Sequence, residues 1–324
     1  MTTVVEETVR AVVEAGGDPA ARLMVRLESR LAALAAGHGE QLARHAGETI
    51  AAGGKRLRPL LVLLAAGAPP PESDALLGGA VAVELVHSAT LVHDDVLDES
   101  PLRRGRPTVV AAGGRLAATA TGDLLFSRAF AELARSRSVA AIRTLSRATG
   151  ELAAGELMQR ADAWRAVSAD RYMERCRLKT AVLFRAACEL GALEAAAASV
   201  GLDEFGERIG LAFQLLDDVL DVTGPEARTG KPRGADLLDG TVNLPLIIAR
   251  ERDAELRALD PRSVRTDADA AAVCDRIAAT GALETVRERA LGLVATAKDA
   301  LPALPARQRA ALAMIADGVV ERYS

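Results

Sequence analysis

Apolar residues recur at three- and four-residue steps through most of the chain, the spacing of one helix face. From Leu202 the series Phe205, Ile209, Phe213, Leu216 and Leu220 is the clearest case, and a similar stripe runs from Leu76 to Leu97. The breaks between stripes fit helix ends. Asp18-Pro19 and Asp260-Pro261 pair a capping side chain with proline at the first helical position. The run Pro69-Pro70-Pro71 stops one helix, Ser73 or Asp74 can cap the next, and a further helix is expected to begin at Pro59. An alternating stretch around Thr108 to Val110 is too short for a strand. Two longer irregular segments, Ser100–Gly114 and Thr223–Val242, are rich in Gly, Pro and charge, and loops of that kind carry function. No composition break or linker interrupts the pattern. It predicts a single all-α domain over residues 1–324, with a separate or frayed N-terminal arm of about residues 1–17.

Composition agrees with helices: aromatic residues make up 2% of the chain, while Ala and Leu occur throughout. A β-sandwich or barrel is excluded on that ground. The net charge of −4, from 40 basic and 44 acidic residues, offers no basic field for nucleic acid. Three scattered cysteines, Cys176, Cys188 and Cys274, make neither a disulfide framework nor a zinc pattern and suit a reducing compartment. The start MTTVVEETVR lacks the features of a signal peptide, and no apolar run approaches the ~20 residues of a membrane span. A cytoplasmic protein without a transmembrane segment is expected.

The pentapeptide Asp-Asp-Val-Leu-Asp occurs twice, at residues 94–98 and 217–221. Each copy closes a long apolar-striped helix. Asp94 and Asp98 fall about 40° apart on one helical face, as do Asp217 and Asp221. Like charges one turn apart, at the end where the helix dipole is negative, destabilise a helix unless a cation compensates. Carboxylate oxygens are hard donors suited to Mg²⁺, which is commonly held by one or two carboxylates together with substrate phosphates. Glu84-x-x-His87 matches one ligand step of a di-iron bundle, but the chain has no second copy.

Basic groups flank these clusters. Gly53-Gly54-Lys55-Arg56-Leu57-Arg58-Pro59 opens into a helix start, Arg103-Arg104 follows Asp98, and Lys179-Thr180 and Lys231 lie further on. Cations at helix starts and in loops make anion sites. Combined with two acidic half-sites, they describe a pocket for two polyphosphates.

These segments resemble the trans-polyprenyl diphosphate synthases. The matching stretches are GGKRLRP (53–59), ELVHSATLVHDDVLDESPLRRGRPT (84–108), GE-x-x-Q (155–159), LKTA (178–181), GLAFQLLDDVLD (210–221) and GKPRGADLLDGTVNLP (230–245). The resemblance implies a bundle of long helices around a deep apolar cavity, usually a homodimer. It implies Mg²⁺, about three ions per active site, bridging the allylic diphosphate. Metal binding would fall to Asp94, Asp98, Asp217 and Asp221, with Asp95, Asp218 and Asp236 assisting. Arg103, Lys179, Lys231 and Gln214 would hold the allylic diphosphate. Lys55, Arg58, His87 and Arg104 would hold isopentenyl diphosphate. Thr180 and Gln214 would steady the allylic cation. The chain departs from the family pattern at Thr241, where many members carry a diphosphate-binding lysine, and at Gly113-Gly114-Arg115.

In short-chain members of the family, aromatic residues four or five positions before the first aspartate form a floor under the growing tail. Here those positions are Ala89 and Thr90, with Val86 deeper, and no aromatic occurs from residue 60 to 125. A product of roughly C30 to C50 is expected, unless Phe126, Phe130 or Phe184 closes the cavity from another helix to give C15 or C20. A terpene cyclase would need neither the second acidic pentapeptide nor the second cation set. A non-catalytic regulatory subunit would be expected to have lost an aspartate motif, and both are present. An apolar product would favour transient membrane contact on release.

Overall fold

The computed structural model describes residues 2–36, 38–52, 54–103, 105–195, 201–224 and 233–321. Helices succeed one another along nearly all of it: α1 (Thr2–Gly16), α2 (Asp18–Ala35), α3 (Glu40–Ala51), α4 (Leu57–Ala66) and α5 (Asp74–Leu97). A two-stranded hairpin, β1 (Leu102–Arg103) and β2 (Arg106–Pro107), leads into α6 (Val109–Arg135), α7 (Val139–Asp162) and α8 (Ala169–Cys176). One π-helical turn, Arg177–Ala181, joins α8 to α9 (Val182–Ala192), and α10 (Leu202–Thr223) follows. Shorter helices and the long helices Ala282–Asp299 and Ala306–Glu321 complete the chain. The all-α expectation is borne out.

Helix α5 lies at the centre. Its N-cap is Ser73, whose hydroxyl accepts from the Leu76 N–H at 2.9 Å. Leu76 through Val86 are buried without interruption, because α6 covers one face while α4 and α9 cover others. Such all-round burial also explains its composition. Among the described residues α5 alone is long and apolar enough to cross a membrane, which corrects the expectation that no stretch approaches that length. Yet 78% of its most apolar window is buried inside the protein, as befits a core helix. Helix α10 packs on α9 and on Ala282–Asp299, burying Leu202, Phe205, Ile209 and Leu216 of the predicted stripe.

Several predicted boundaries move. Asp18 is the first residue of α2 rather than its cap, and Gly17 occupies the cap position at φ 84°. Asp260 does cap, but only the single turn Pro261–Ser263. Helix α4 starts at Leu57, two residues before Pro59, because Arg56 takes a left-handed turn (φ 49°) that its ion pairs with buried Glu84 and exposed Glu28 hold in place. The segment expected to be irregular to Gly114 is already helical from Val109, with Thr108 capping α6 and a kink at Gly114. The N-terminal helix is docked: Val12 is buried, α1 packs on Ala306–Glu321, and Arg307 Nε donates to the Ala15 carbonyl at 2.7 Å.

Candidate active site

Three segments converge on one cavity of about 210 Å³. The last turn of α5 delivers Asp94 and Asp98, the π turn delivers Lys179 and Thr180, and α10 delivers Gln214 and Asp218. A π turn carries one extra residue, which re-aims successive side chains and is often found at functional sites. Two glycines let the neighbouring helices approach it. A Cβ at Gly155 of α7 would lie 2.7 Å from the Lys179 backbone nitrogen, and one at Gly210 of α10 would lie 2.6 Å from Ala181 Cα. The close approach of α10 completes a hydrogen-bonded row. Thr180 Oγ1 donates to Gln214 Oε1 at 2.7 Å, Gln214 Nε2 to Asp218 Oδ1 at 2.8 Å, and Tyr172 Oη to Asp218 Oδ2 at 2.5 Å.

Each acidic group on the α5 side stands near a cation. Arg103 Nε lies 2.8 Å from Asp95, Arg160 Nη2 lies 2.6 Å from Asp98, and Lys179 Nζ lies 2.6 Å from Glu156. Burial pushes the Asp94 carboxyl up to about 6, and the negative charges of Glu156 and Asp98 add to the rise that Lys179 and Arg103 oppose. Burial likewise raises the Asp218 carboxyl, with Asp236 as a second cause. Burial disfavours the charged form of Lys179, but Asp94 and Glu156 outweigh it and its pKa is raised. The cavity thus concentrates carboxylates that gain from a divalent cation.

The donor set suits such an ion. Asp94 and Asp98 offer hard oxygens from one wall, and Asp218, Asp236 and Asp239 line the same cavity. Among the described residues no three His, Cys, Asp or Glu side chains form a ready-made cage. That arrangement fits Mg²⁺, which relies on substrate phosphate and water for its remaining ligands.

The other residues singled out from the sequence are distributed as follows. Asp95 is buried behind Arg103, and Asp217 and Asp221 lie outside the cavity lining, where Asp221 Oδ1 accepts from the Asp236 N–H at 3.4 Å. Lys55, Arg58 and His87 also lie outside that lining, and Arg58 stacks its guanidinium 4.4 Å from the Phe184 ring centre. Arg104 and Lys231 fall outside the described residues. Thr241 lines the cavity. Val86 and Ala89 are fully buried, and Thr90 is half-buried with its hydroxyl on the His87 carbonyl. Glu84 is a structural partner of Arg56 at 2.6 Å, which removes the di-iron reading of Glu84-x-x-His87.

Sequence reasoning missed Arg160, Tyr172, Arg175 and Asn243, all of which line the cavity. It picked out the GE-x-x-Q stretch but not the role of its Glu156, the anchor of Lys179. Asn243 does two jobs: its Oδ1 caps the helix Leu244–Arg252, and its Nδ2 reaches Asp236 at 3.3 Å. The N-cap pattern before Leu244-Pro245 was the available signal for the first. Arg175 donates to the Val242 carbonyl at 2.5 Å and packs against the Tyr172 ring, holding the neighbouring loop.

Comparison with known proteins adds the lineage. The polyprenyl synthetase family profile matches residues 40–279. The chain belongs to the polyprenyl synthetase family. Family members are prenyltransferases, the enzyme class expected from the motifs. The heptaprenyl diphosphate synthase component 2 of Geobacillus stearothermophilus is 41% identical over 264 residues, 79% of this chain and 82% of the relative. The geranylgeranyl diphosphate synthase of Methanosarcina mazei is 35% identical over 293 residues, 87% of this chain and 90% of the relative. Among solved structures, the Caulobacter crescentus polyprenyl synthase complexed with calcium and isoprenyl diphosphate superposes with a TM-score of 0.88. It is 36% identical and covers 98% of each chain.

Proposed function

We propose that the protein condenses isopentenyl diphosphate with an allylic diphosphate, in the presence of Mg²⁺, to make a trans-polyprenyl diphosphate. The observation that carries this reading is the meeting of Asp94 and Asp98, Lys179 and Arg103, and the Thr180–Gln214–Asp218 row in one cavity. It is supported by the relative solved with calcium and isoprenyl diphosphate. A divalent metal held by these carboxylates would supply electrostatic stabilisation of the leaving group.

The side chains divide the remaining work. Lys179 and Arg103 offset the charge that develops on the departing diphosphate. Asp94, Asp98, Asp217 and Asp221 are the proposed metal carboxylates, and Asp95, Asp218 and Asp236 hold or orient their neighbours. Thr180 and Gln214 present oxygen dipoles to the allylic cation. Lys55, Arg58, His87 and Arg104 are assigned to isopentenyl diphosphate, and Lys231 to the allylic diphosphate. The double bond of isopentenyl diphosphate attacks the cation, and the released diphosphate takes the proton. Water is kept out by burial of the tail path, since it would capture the cation.

The proposed product is long, roughly C30 to C50, because Ala82, Val83, Val86 and Ala89 put only small side chains before Asp94. One observation favours a shorter product. His93 presses on Gly122 of the antiparallel α6, and its ring meets Phe126 at 5.7 Å. One turn back along α5 and one turn on along α6 brings Ala89 opposite Phe126. Phe126 can therefore fill the space that Ala89 leaves. Mass analysis of products from wild type and Phe126→Ala decides between them: a long wild-type product supports the first reading. A C15 or C20 product that lengthens in the variant supports the second.

The chain is proposed to work as one cytoplasmic all-helical domain and as a homodimer; Leu97 at the end of α5, Leu102 of β1 and Leu116 in the early part of α6 are exposed apolar residues that a second copy would cover. The name of the Geobacillus relative, a component 2, favours a second reading in which a different subunit completes the enzyme. Light scattering on the purified chain, with activity measured on the same fraction, separates the two.

A further inference from the structure

Arg160 belongs to no motif, yet it lines the cavity beside Asp98 and Lys179. Its position is set by Glu156. Arg160 Nε stands 3.8 Å from Glu156 Oε1, one helical turn away on α7, while Glu156 Oε2 holds Lys179 Nζ at 2.6 Å. One carboxylate therefore sets two cations side by side, one on each oxygen. Lys179 is the residue assigned to the allylic diphosphate, so Arg160 faces the same anion. Its side chain is 39% exposed and its bond to Asp98 is made in contact with solvent, where such pairs exchange readily. A guanidinium offers planar paired donors that match phosphate oxygens better than an ammonium does. Thr241, on the same cavity, supplies no charge.

We propose that Arg160 is a further diphosphate-binding residue, which Glu156 aligns with Lys179 and which provides the positive charge that position 241 lacks. This rests on the reading of the cavity as the allylic diphosphate site.

The test is calorimetric titration of inorganic pyrophosphate with Mg²⁺ into wild type, Arg160→Gln, Arg160→Gln/Thr241→Lys and Lys179→Gln, together with steady-state constants. Loss of a charge-assisted contact predicts roughly tenfold weaker pyrophosphate binding in Arg160→Gln. The KM for the allylic diphosphate should rise by a similar factor while that for isopentenyl diphosphate stays put, and Thr241→Lys should restore most of the loss. Unchanged pyrophosphate affinity with a lowered Mg²⁺ requirement would make Arg160 only the counter-ion of Asp98 and overturn the proposal. A loss that Thr241→Lys fails to recover would mark a structural role and overturn it too. Were Lys179→Gln to bind pyrophosphate as wild type does, the diphosphate site itself would be misplaced, and this inference would fall with it.

Discussion

Replacing Asp94 by Asn should stabilise the metal-free protein while disabling it. The Asp94 carboxyl is raised from 3.8 to about 6, chiefly by burial. At about 1.4 kcal/mol per pH unit, holding that group ionised costs the folded state roughly 3 kcal/mol at neutral pH. Water at its exposed edge reduces this to about 2 kcal/mol. The sign follows from proton binding. Between about pH 4 and pH 6 the folded chain holds a proton that the unfolded chain has released, so stability falls as pH rises through that window. Below it both states are protonated and the penalty vanishes. Asn carries no such penalty. With an unfolding entropy of about 2.1 cal/mol/K per residue, 2 kcal/mol corresponds to a Tm gain of about 3 °C in a chain of this size.

The assay is thermal unfolding of wild type and Asp94→Asn in chelator at pH 7.5 and pH 4, and again at pH 7.5 with Mg²⁺ and pyrophosphate. Asn should melt higher at pH 7.5, the gap should close at pH 4, and only wild type should gain from metal and pyrophosphate. A lower Tm for the Asn variant in chelator at pH 7.5 would refute the reasoning. It would mean that the attraction of Lys179 for Asp94 exceeds the cost of burial.

Three further outcomes are expected. Below about pH 6, protons compete with metal for Asp94, so the Mg²⁺ concentration giving half-maximal activity should climb toward tenfold per pH unit; a flat requirement from pH 7 to 5 would exclude Asp94 as a ligand. Glu84→Ala removes one partner of a buried pair in which both side chains are under a tenth exposed, and should cost about 3–5 kcal/mol in urea unfolding. Gly155→Ala forces a Cβ onto the backbone at Lys179, so it should destabilise by about 1–3 kcal/mol and raise the KM for the allylic diphosphate more than that for isopentenyl diphosphate.

The helices were legible because apolar stripes and capping residues act locally: the stripe from Leu202 and the Ser73 cap appear where the sequence put them. The acidic ends of α5 and α10 were legible because two identical charge clusters in unfavourable positions call for a counter-ion. Contacts between distant segments were not. The π turn at Arg177–Ala181 leaves no mark in residue periodicity, since it depends on α7 and α10 closing on it through Gly155 and Gly210. Glu156 stands in the GE-x-x-Q stretch, but its role appears only when the fold sets it against Lys179, which is 23 positions away. For the tail path the sequence offers small residues on α5 and three candidate phenylalanines, Phe126, Phe130 and Phe184, without saying which of them meets α5. The fold brings Phe126 of α6 against α5, its ring 5.7 Å from that of His93.

The central claim is that the cavity between α5, the π turn and α10 elongates an allylic diphosphate with the help of a divalent metal. It is tested most directly by incubating the purified chain with labelled isopentenyl diphosphate and farnesyl diphosphate, with Mg²⁺ or with chelator, beside Asp94→Ala and Asp217→Ala. Metal-dependent formation of longer prenyl diphosphates, reduced at least about a hundredfold in both variants, is the predicted result. Elongation that persists in chelator, or that survives loss of either aspartate in folded protein, would contradict it.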